Sequence, residues 1–171
     1  MRWIIAVLTS VLVAAHAVNI GERLPHVVLE KENGGTSDGK SWDSSTLESG
    51  VHLLLYMDPD RRKETQPLFD RLKRSATEGK PFPTVAIVNL AATWMPDFVL
   101  ESMLSKKQKE LKNTVFVFDR RKYLVDKWRL EDEASNVMIV DRNSEVLYYR
   151  SGEISPAEAE HIINLIQSMV D

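Results

Sequence analysis

Asp58 and Asp60 stand two residues apart and run straight into Arg61, Arg62 and Lys63, a compact set of side chains able to do chemistry. Paired carboxylates can hold a divalent cation or serve as acid and base. A simpler use is a cap, in which an Asp at a helix entrance accepts hydrogen bonds from the free N–H groups and contributes about 1 kcal/mol. A hard cation needs several further oxygen ligands, and no Asp-rich loop of the required spacing occurs, so no metal is expected. A second basic triplet, Arg120, Arg121 and Lys122, follows later. If the triplets converge they suit a small anionic ligand or an acidic protein; otherwise they are solvated loop charges.

Other chemistries are missing. The 171 residues contain no cysteine, which removes thiol nucleophiles, disulfides and Cys-ligated metals together. The histidines, His16, His26, His52 and His161, lack any His-x-x-His or His-Glu ligand spacing. There is no Gly-x-Ser-x-Gly elbow and no Gly-rich phosphate loop, so no cofactor is expected. A formal charge of −3 gives no general attraction to nucleic acid. Among the tryptophans, Trp94 precedes Met95 and Pro96 at a strand-to-helix junction. It is either a core plug or, if exposed, an anchor for a partner.

The elements that must position these groups can be read from periodicity. Continuous apolar runs at 51–57 and 84–90 predict strands covered on both faces, as in a parallel or mixed sheet flanked by helices. Residues 24–29, 114–118, 136–140 and 146–150 read as further strands, the last two joined by a hairpin turn at 141–144. The polar segment 33–39, with three Gly, reads as a flexible turn or hairpin loop. Helical spacing covers 64–76, where Pro67 must open or kink the helix, and a second helix starts near Pro96. The last helix has the sharpest boundary: Ser155 as N-cap, Pro156 in the first helical position and Glu158 completing a capping box. This order is α/β with a mixed central sheet.

The N-terminus reads as an address. Arg2, an apolar or small run over 3–15, and small residues at Ala15 and Ala17 match a signal peptide cleaved after Ala17. Residues 18–171 then form one domain, with no stable membrane insertion once the leader is removed. An uncleaved anchor or a buried N-terminal helix are the competing readings of 1–17.

A βαβ unit, a second helix, a β-hairpin and a C-terminal helix resemble the thioredoxin fold, a three-layer sandwich here carrying an N-terminal extension. Within that superfamily the chain resembles the YtfJ family of exported bacterial proteins. The resemblance rests on the leader, the opening 19–25, the stretch 42–47, Ile87-Val88-Asn89, and 128–135 running into 137–141. It implies a periplasmic location and a thioredoxin-like fold. In redox enzymes of this fold a Cys-x-x-Cys pair follows the first core strand, where the helix dipole lowers the thiol pKa. Counting from the strand places that pair at Asp60 and Lys63; counting back from Pro67 places it at Pro59 and Arg62. Neither register offers sulfur. The resemblance also implies a cis-proline before the hairpin, where this chain has Ser135 and Asn136.

The expectation is therefore a thioredoxin-fold protein of the periplasm without redox cysteines, acting as a binding or scaffold protein. Its site would be Asp58, Asp60, Arg61, Arg62, Trp94 and Ser135, facing an unknown protein or a small anionic ligand. The alternative is an enzyme of non-redox chemistry, hydrolytic or metal-dependent, using Asp58 and Asp60 on the same edge.

Overall fold

A computed structural model describes residues 18–170 of the chain, so the expected leader lies outside the described residues. The strands are β1 Val28–Leu29, β2 Gly34–Thr36, β3 Trp42–Asp43, β4 His52–Met57, β5 Thr84–Asn89, β6 Thr114–Asp119, β7 Asn136–Val140 and β8 Val146–Ser151. The helices are α1 Gln66–Thr77, α2 Asp97–Glu110, α3 Tyr123–Trp128 and α4 Pro156–Val170. Six strands form one mixed sheet in the order β2-β6-β5-β4-β7-β8. β4, β5 and β6 are parallel, and β2, β7 and β8 are antiparallel to their neighbours.

The buried strands are the ones with unbroken apolar runs. All of β5 and β7 and all but the last residue of β4 are buried, because helices cover one face and the N-terminal segment plus α3 cover the other. Alternation then divides the core. Leu53, Leu55, Ala86, Val88, Val137 and Ile139 meet α1, α2 and α4 on one face. Leu54, Tyr56, Ile87 and Met138 meet Leu29, Trp42, Leu47, Leu124 and Trp128 on the other. Trp42 and Trp128 pack edge to face at 6.2 Å, and the Trp128 indole donates to the Pro25 carbonyl at 2.9 Å. At the start of α4 the Glu158 N–H donates to Ser155 Oγ and the Ser155 N–H donates to the Glu158 carboxylate, the reciprocal bonds of the capping box.

Two expectations are corrected, one element is added and one open alternative is settled. The strand read over 24–29 shrinks to Val28–Leu29, because the preceding segment bonds the β7–β8 turn instead, through Leu24 N–H to the Ser144 carbonyl. The glycine-rich stretch expected to be a flexible loop supplies β2, which extends the sheet beside β6. There the missing side chains are required: a Cβ on Gly34 would lie 1.8 Å from the Phe118 carbonyl oxygen, and one on Gly35 2.3 Å from that of Lys40. Helix α3 has no counterpart in the periodicity reading. Finally, α1 begins only at Gln66, so Pro67 opens the helix rather than kinking it.

Candidate functional site

The parallel strands β4, β5 and β6 all end at one rim of the sheet, and β7 starts there. The chain moves from β4 outward through β5 and β6, then returns across the sheet by way of α3 to β7. The end of β4 is therefore a point where the strand order reverses, the position at which α/β sheets characteristically open a crevice. The Asp58–Lys63 segment leaves β4 at this point.

Asp58 is 5% exposed, and its Oδ1 accepts the Asp60 N–H at 2.9 Å, capping a 3-10 turn over Pro59–Arg61. The cap reading thus holds in kind, but the capped element is this turn and not α1. Burial pushes the Asp58 carboxyl above its ordinary range, because a desolvated carboxylate is disfavoured. The Asp60 side chain accepts the Thr93 hydroxyl at 2.6 Å and so ties this turn to the loop after β5. Thr93 Oγ1 in turn accepts the Met95 N–H at 3.2 Å. Each carboxylate thereby gives one oxygen to a bond within the protein, and Asp60 stays exposed to solvent.

The third segment of the rim is tied in through a residue that periodicity and motif reading missed. Glu64 accepts the Ser135 N–H at 2.9 Å, its own carbonyl accepts the Ile154 N–H at 2.8 Å, and Arg61 lies 4.0 Å from its other oxygen. Ser135 is completely buried, and its hydroxyl has no hydrogen-bond partner among the described residues. No cis peptide bond occurs among the described residues, Ser135–Asn136 included. Next to it the Asn136 amide accepts from the Glu131 N–H and the Tyr149 hydroxyl and donates to the Glu131 and Ala134 carbonyls, fixing the approach to β7.

A second missed residue, Asp119 at the end of β6, is fully buried. Its carboxylate accepts the N–H groups of Arg121, Tyr123 and Leu124 at 2.8–3.2 Å and the Tyr56 hydroxyl at 3.1 Å. Four donors make it the organiser of α3, and burial followed by the Asp119 charge pushes the Tyr56 phenol far up. The signal for it was slight: an Asp four residues ahead of Tyr123 resembles a cap, but the helix it serves is too short to show periodicity.

The two basic triplets leave the same rim, at the ends of β4 and β6, but the second is taken up by carboxylate partners. Arg120 is held by Asp97 and Glu101 of α2, Arg121 lies 3.2 Å from Glu32, and Lys122 pairs with Asp132 at 2.8 Å. Arg62 and Lys63 are exposed without a carboxylate partner among the described residues. Trp94, far from plugging the core, is 87% exposed at this rim, and Phe98 at the start of α2 is 71% exposed. The rim therefore brings together Asp58, Asp60, Arg61, Arg62 and Trp94, with Ser135 beneath its surface. A cavity of about 560 Å³ opens at the opposite end of the sheet, between Gly50, Pro83, Arg142 and Gln167. No group of three or more acidic or His side chains among the described residues is arranged to hold a metal ion.

This is the architecture of a thioredoxin-like protein lacking the sulfur on which thioredoxin chemistry depends. The chain belongs to the YtfJ family, described as "Bacterial protein of unknown function (YtfJ_HI0045)", whose match runs over residues 15–169. It is similar to the "Uncharacterized protein YtfJ" of Escherichia coli (strain K12), with 24% identity over 95% of this chain and 93% of that one. In structure it is similar to a SCO1/SenC family lipoprotein from Bacillus anthracis, with TM-score 0.62, 18% identity, and 88% and 96% of the two chains covered. A putative thiol:disulfide interchange protein DsbE from Chlorobium tepidum is similar at TM-score 0.60 and 18% identity, covering 91% of this chain and all of that one. These last two likenesses establish the thioredoxin-like fold.

Proposed function

We propose that this chain is an exported, periplasmic binding or scaffold protein that uses the rim at the carboxyl ends of β4 and β5 without catalysing a reaction there. The observation that carries this reading is the use to which the rim's polar groups are put. Asp58 caps a turn, Asp60 holds Thr93, and Glu64 holds Ser135, so the groups that would act as acid, base or ligand instead bond the three segments into one surface. What projects from that surface is recognition chemistry, Trp94 and the cationic Arg61 and Arg62. The alternative of a hydrolytic or metal-dependent enzyme needs Asp58 and Asp60 to face a substrate together, and the burial of Asp58 and the bond that each makes through one oxygen weigh against it. Export is supported by the leader-like composition of residues 1–17.

The test is photo-crosslinking in a Gram-negative host expressing the full chain, with the crosslinking residue placed at position 94 or, as a control, at position 80 by the opposite cavity. A discrete protein adduct from position 94, absent from position 80, is the expected result. N-terminal sequencing of the same material is expected to begin at Val18. Turnover of ester, phosphate or peptide substrates by the purified protein that disappears in Asp58→Asn and Asp60→Asn would overturn the reading.

A further inference from the structure

We propose that the surface of this rim accepts an acidic peptide segment carrying an apolar side chain, the apolar group seated on Trp94 and Phe98 and the carboxylates met by Arg62, Lys63, Lys106 and Lys109. The proposal rests on the binding reading above and names the chemistry of its partner. Helix α2 carries apolar side chains on two sides. Leu100 and Leu104 enter the core, whereas Phe98 lies on the solvent side, with Ser102 and Lys106 at successive four-residue steps and Lys109 beside them. Trp94 projects from the loop just ahead of that face, giving two large exposed aromatic rings at its N-terminal end.

The backbone that carries Trp94 is held on both sides. The Thr93 hydroxyl is held by Asp60, the Met95 N–H by Thr93 Oγ1, and Met95 itself packs against the core. An anchor whose backbone is already ordered loses little freedom on binding.

The unpaired charges around the rings are mostly cationic. Most of the local carboxylates have a cationic partner: Asp97 and Glu101 share Arg120, and Glu110 pairs with Lys73 at 2.9 Å, while Asp60, bonded to the Thr93 hydroxyl, keeps its charge. Of the cations, Arg62, Lys63, Lys106 and Lys109 are exposed with no carboxylate within ion-pair distance among the described residues. Lys106 lies two turns beyond Phe98, about 12 Å along the axis at 1.5 Å per residue, within the span of a few extended peptide residues. A locally cationic, aromatic surface on a chain of net charge −3 selects a compact acidic ligand over an extended anionic one. A short segment meets only charges within about 8 Å, the screening length at physiological salt, while an anionic bilayer faces a whole acidic molecule.

The experiment is a titration of the purified chain with a fluorescein-labelled peptide of alternating Asp and Glu residues containing one Leu and one Phe. Parallel titrations use the same peptide with Lys for each acid, the acidic peptide with Gly for its apolar residues, and vesicles of anionic phospholipid. The acidic apolar peptide is expected to bind with the tightest Kd and to weaken at least tenfold in Trp94→Ala and in the double change Lys106→Glu, Lys109→Glu. Lys80→Glu, at the far end of the sheet, is expected to change nothing. Unfolding midpoints of the variants, together with circular dichroism, establish that each remains folded. Equal binding of the basic peptide, preferential binding to the vesicles, or no binding of the acidic peptide overturns the proposal. None of these results touches the crosslinking at position 94, so a protein partner of other chemistry would leave the binding reading standing.

Discussion

The Glu64 carboxylate accepts the backbone N–H of Ser135 at 2.9 Å, joining residues 71 apart in sequence across the rim of the sheet. A proline at position 135 would have no hydrogen to give, so this bond requires a residue other than proline there. The rim has acquired a structural tie at the place where the resemblance implies a substrate-facing proline.

That tie is testable. Glu64→Ala leaves a buried N–H without its acceptor and is expected to lower stability by about 1–3 kcal/mol in urea unfolding. Glu64→Gln, which retains an acceptor oxygen, should cost less. Ser135→Ala has the opposite expected sign, since the Ser135 hydroxyl is buried and unpaired among the described residues, and its removal should raise stability by up to about 1 kcal/mol. A large loss in Ser135→Ala would show that the hydroxyl has a partner.

Asp58 has two opposed contributions that separate with pH. Its side chain caps the turn, so Asp58→Ala should cost about 1 kcal/mol. Its carboxyl, however, binds its proton more tightly folded than unfolded because of burial. A group of that kind stabilises fully below the unfolded value of about 3.8 and loses that contribution as pH rises through the higher folded value. Asp58→Asn keeps an acceptor and cannot ionise. It should therefore be at least as stable as the parent near neutral pH, with any advantage vanishing below pH of about 4 when unfolding is followed across that range.

His52 works in the other direction on the pH axis. It is buried at the start of β4, its Nδ1 lies 3.1 Å from the Gly50 carbonyl, and burial depresses its pKa below the ordinary 6.5. The unfolded chain then takes up the proton first, so stability is present above about pH 6.5 and falls as pH drops through the folded value. In urea titrations at several pH values, this part of the acid loss is expected to disappear in His52→Gln. An unchanged slope would assign the loss to other groups.

The Tyr56–Asp119 pair predicts a graded result. Tyr56→Phe removes one donor of four and is expected to cost about 1 kcal/mol, whereas Asp119→Ala strips three N–H groups and the phenol of their acceptor and should cost about 3 kcal/mol or more. Hydrogen exchange in α3 is the sharper readout, because Asp119 organises its first turn and should control local opening there.

Much of this protein was legible in the sequence for a simple reason: where a pattern is local, composition carries it. The apolar runs of β4 and β5, the Ser155–Glu158 box of α4, and the missing sulfur at Asp58–Lys63 each depend on neighbouring residues alone. The order of those pieces along the chain carried the resemblance that implies a thioredoxin-like fold; the order of the strands in the sheet came from the structure. The features hidden from it all depend on contacts between distant segments. Gly34 and Gly35 read as a loop because glycine usually marks one, and only the 1.8 Å approach to the Phe118 carbonyl explains why a strand needs them. α3 depends on a buried Asp119 whose fourth donor, Tyr56, is 63 residues away. Whether Trp94 is buried or exposed was decided by tertiary packing at the β5–α2 junction, and the partners of the second basic triplet by which segments lie beside it, Arg120 on α2 and Lys122 with Asp132. Periodicity specifies that an element has an inside; only tertiary packing specifies what that inside, and everything left outside, will meet.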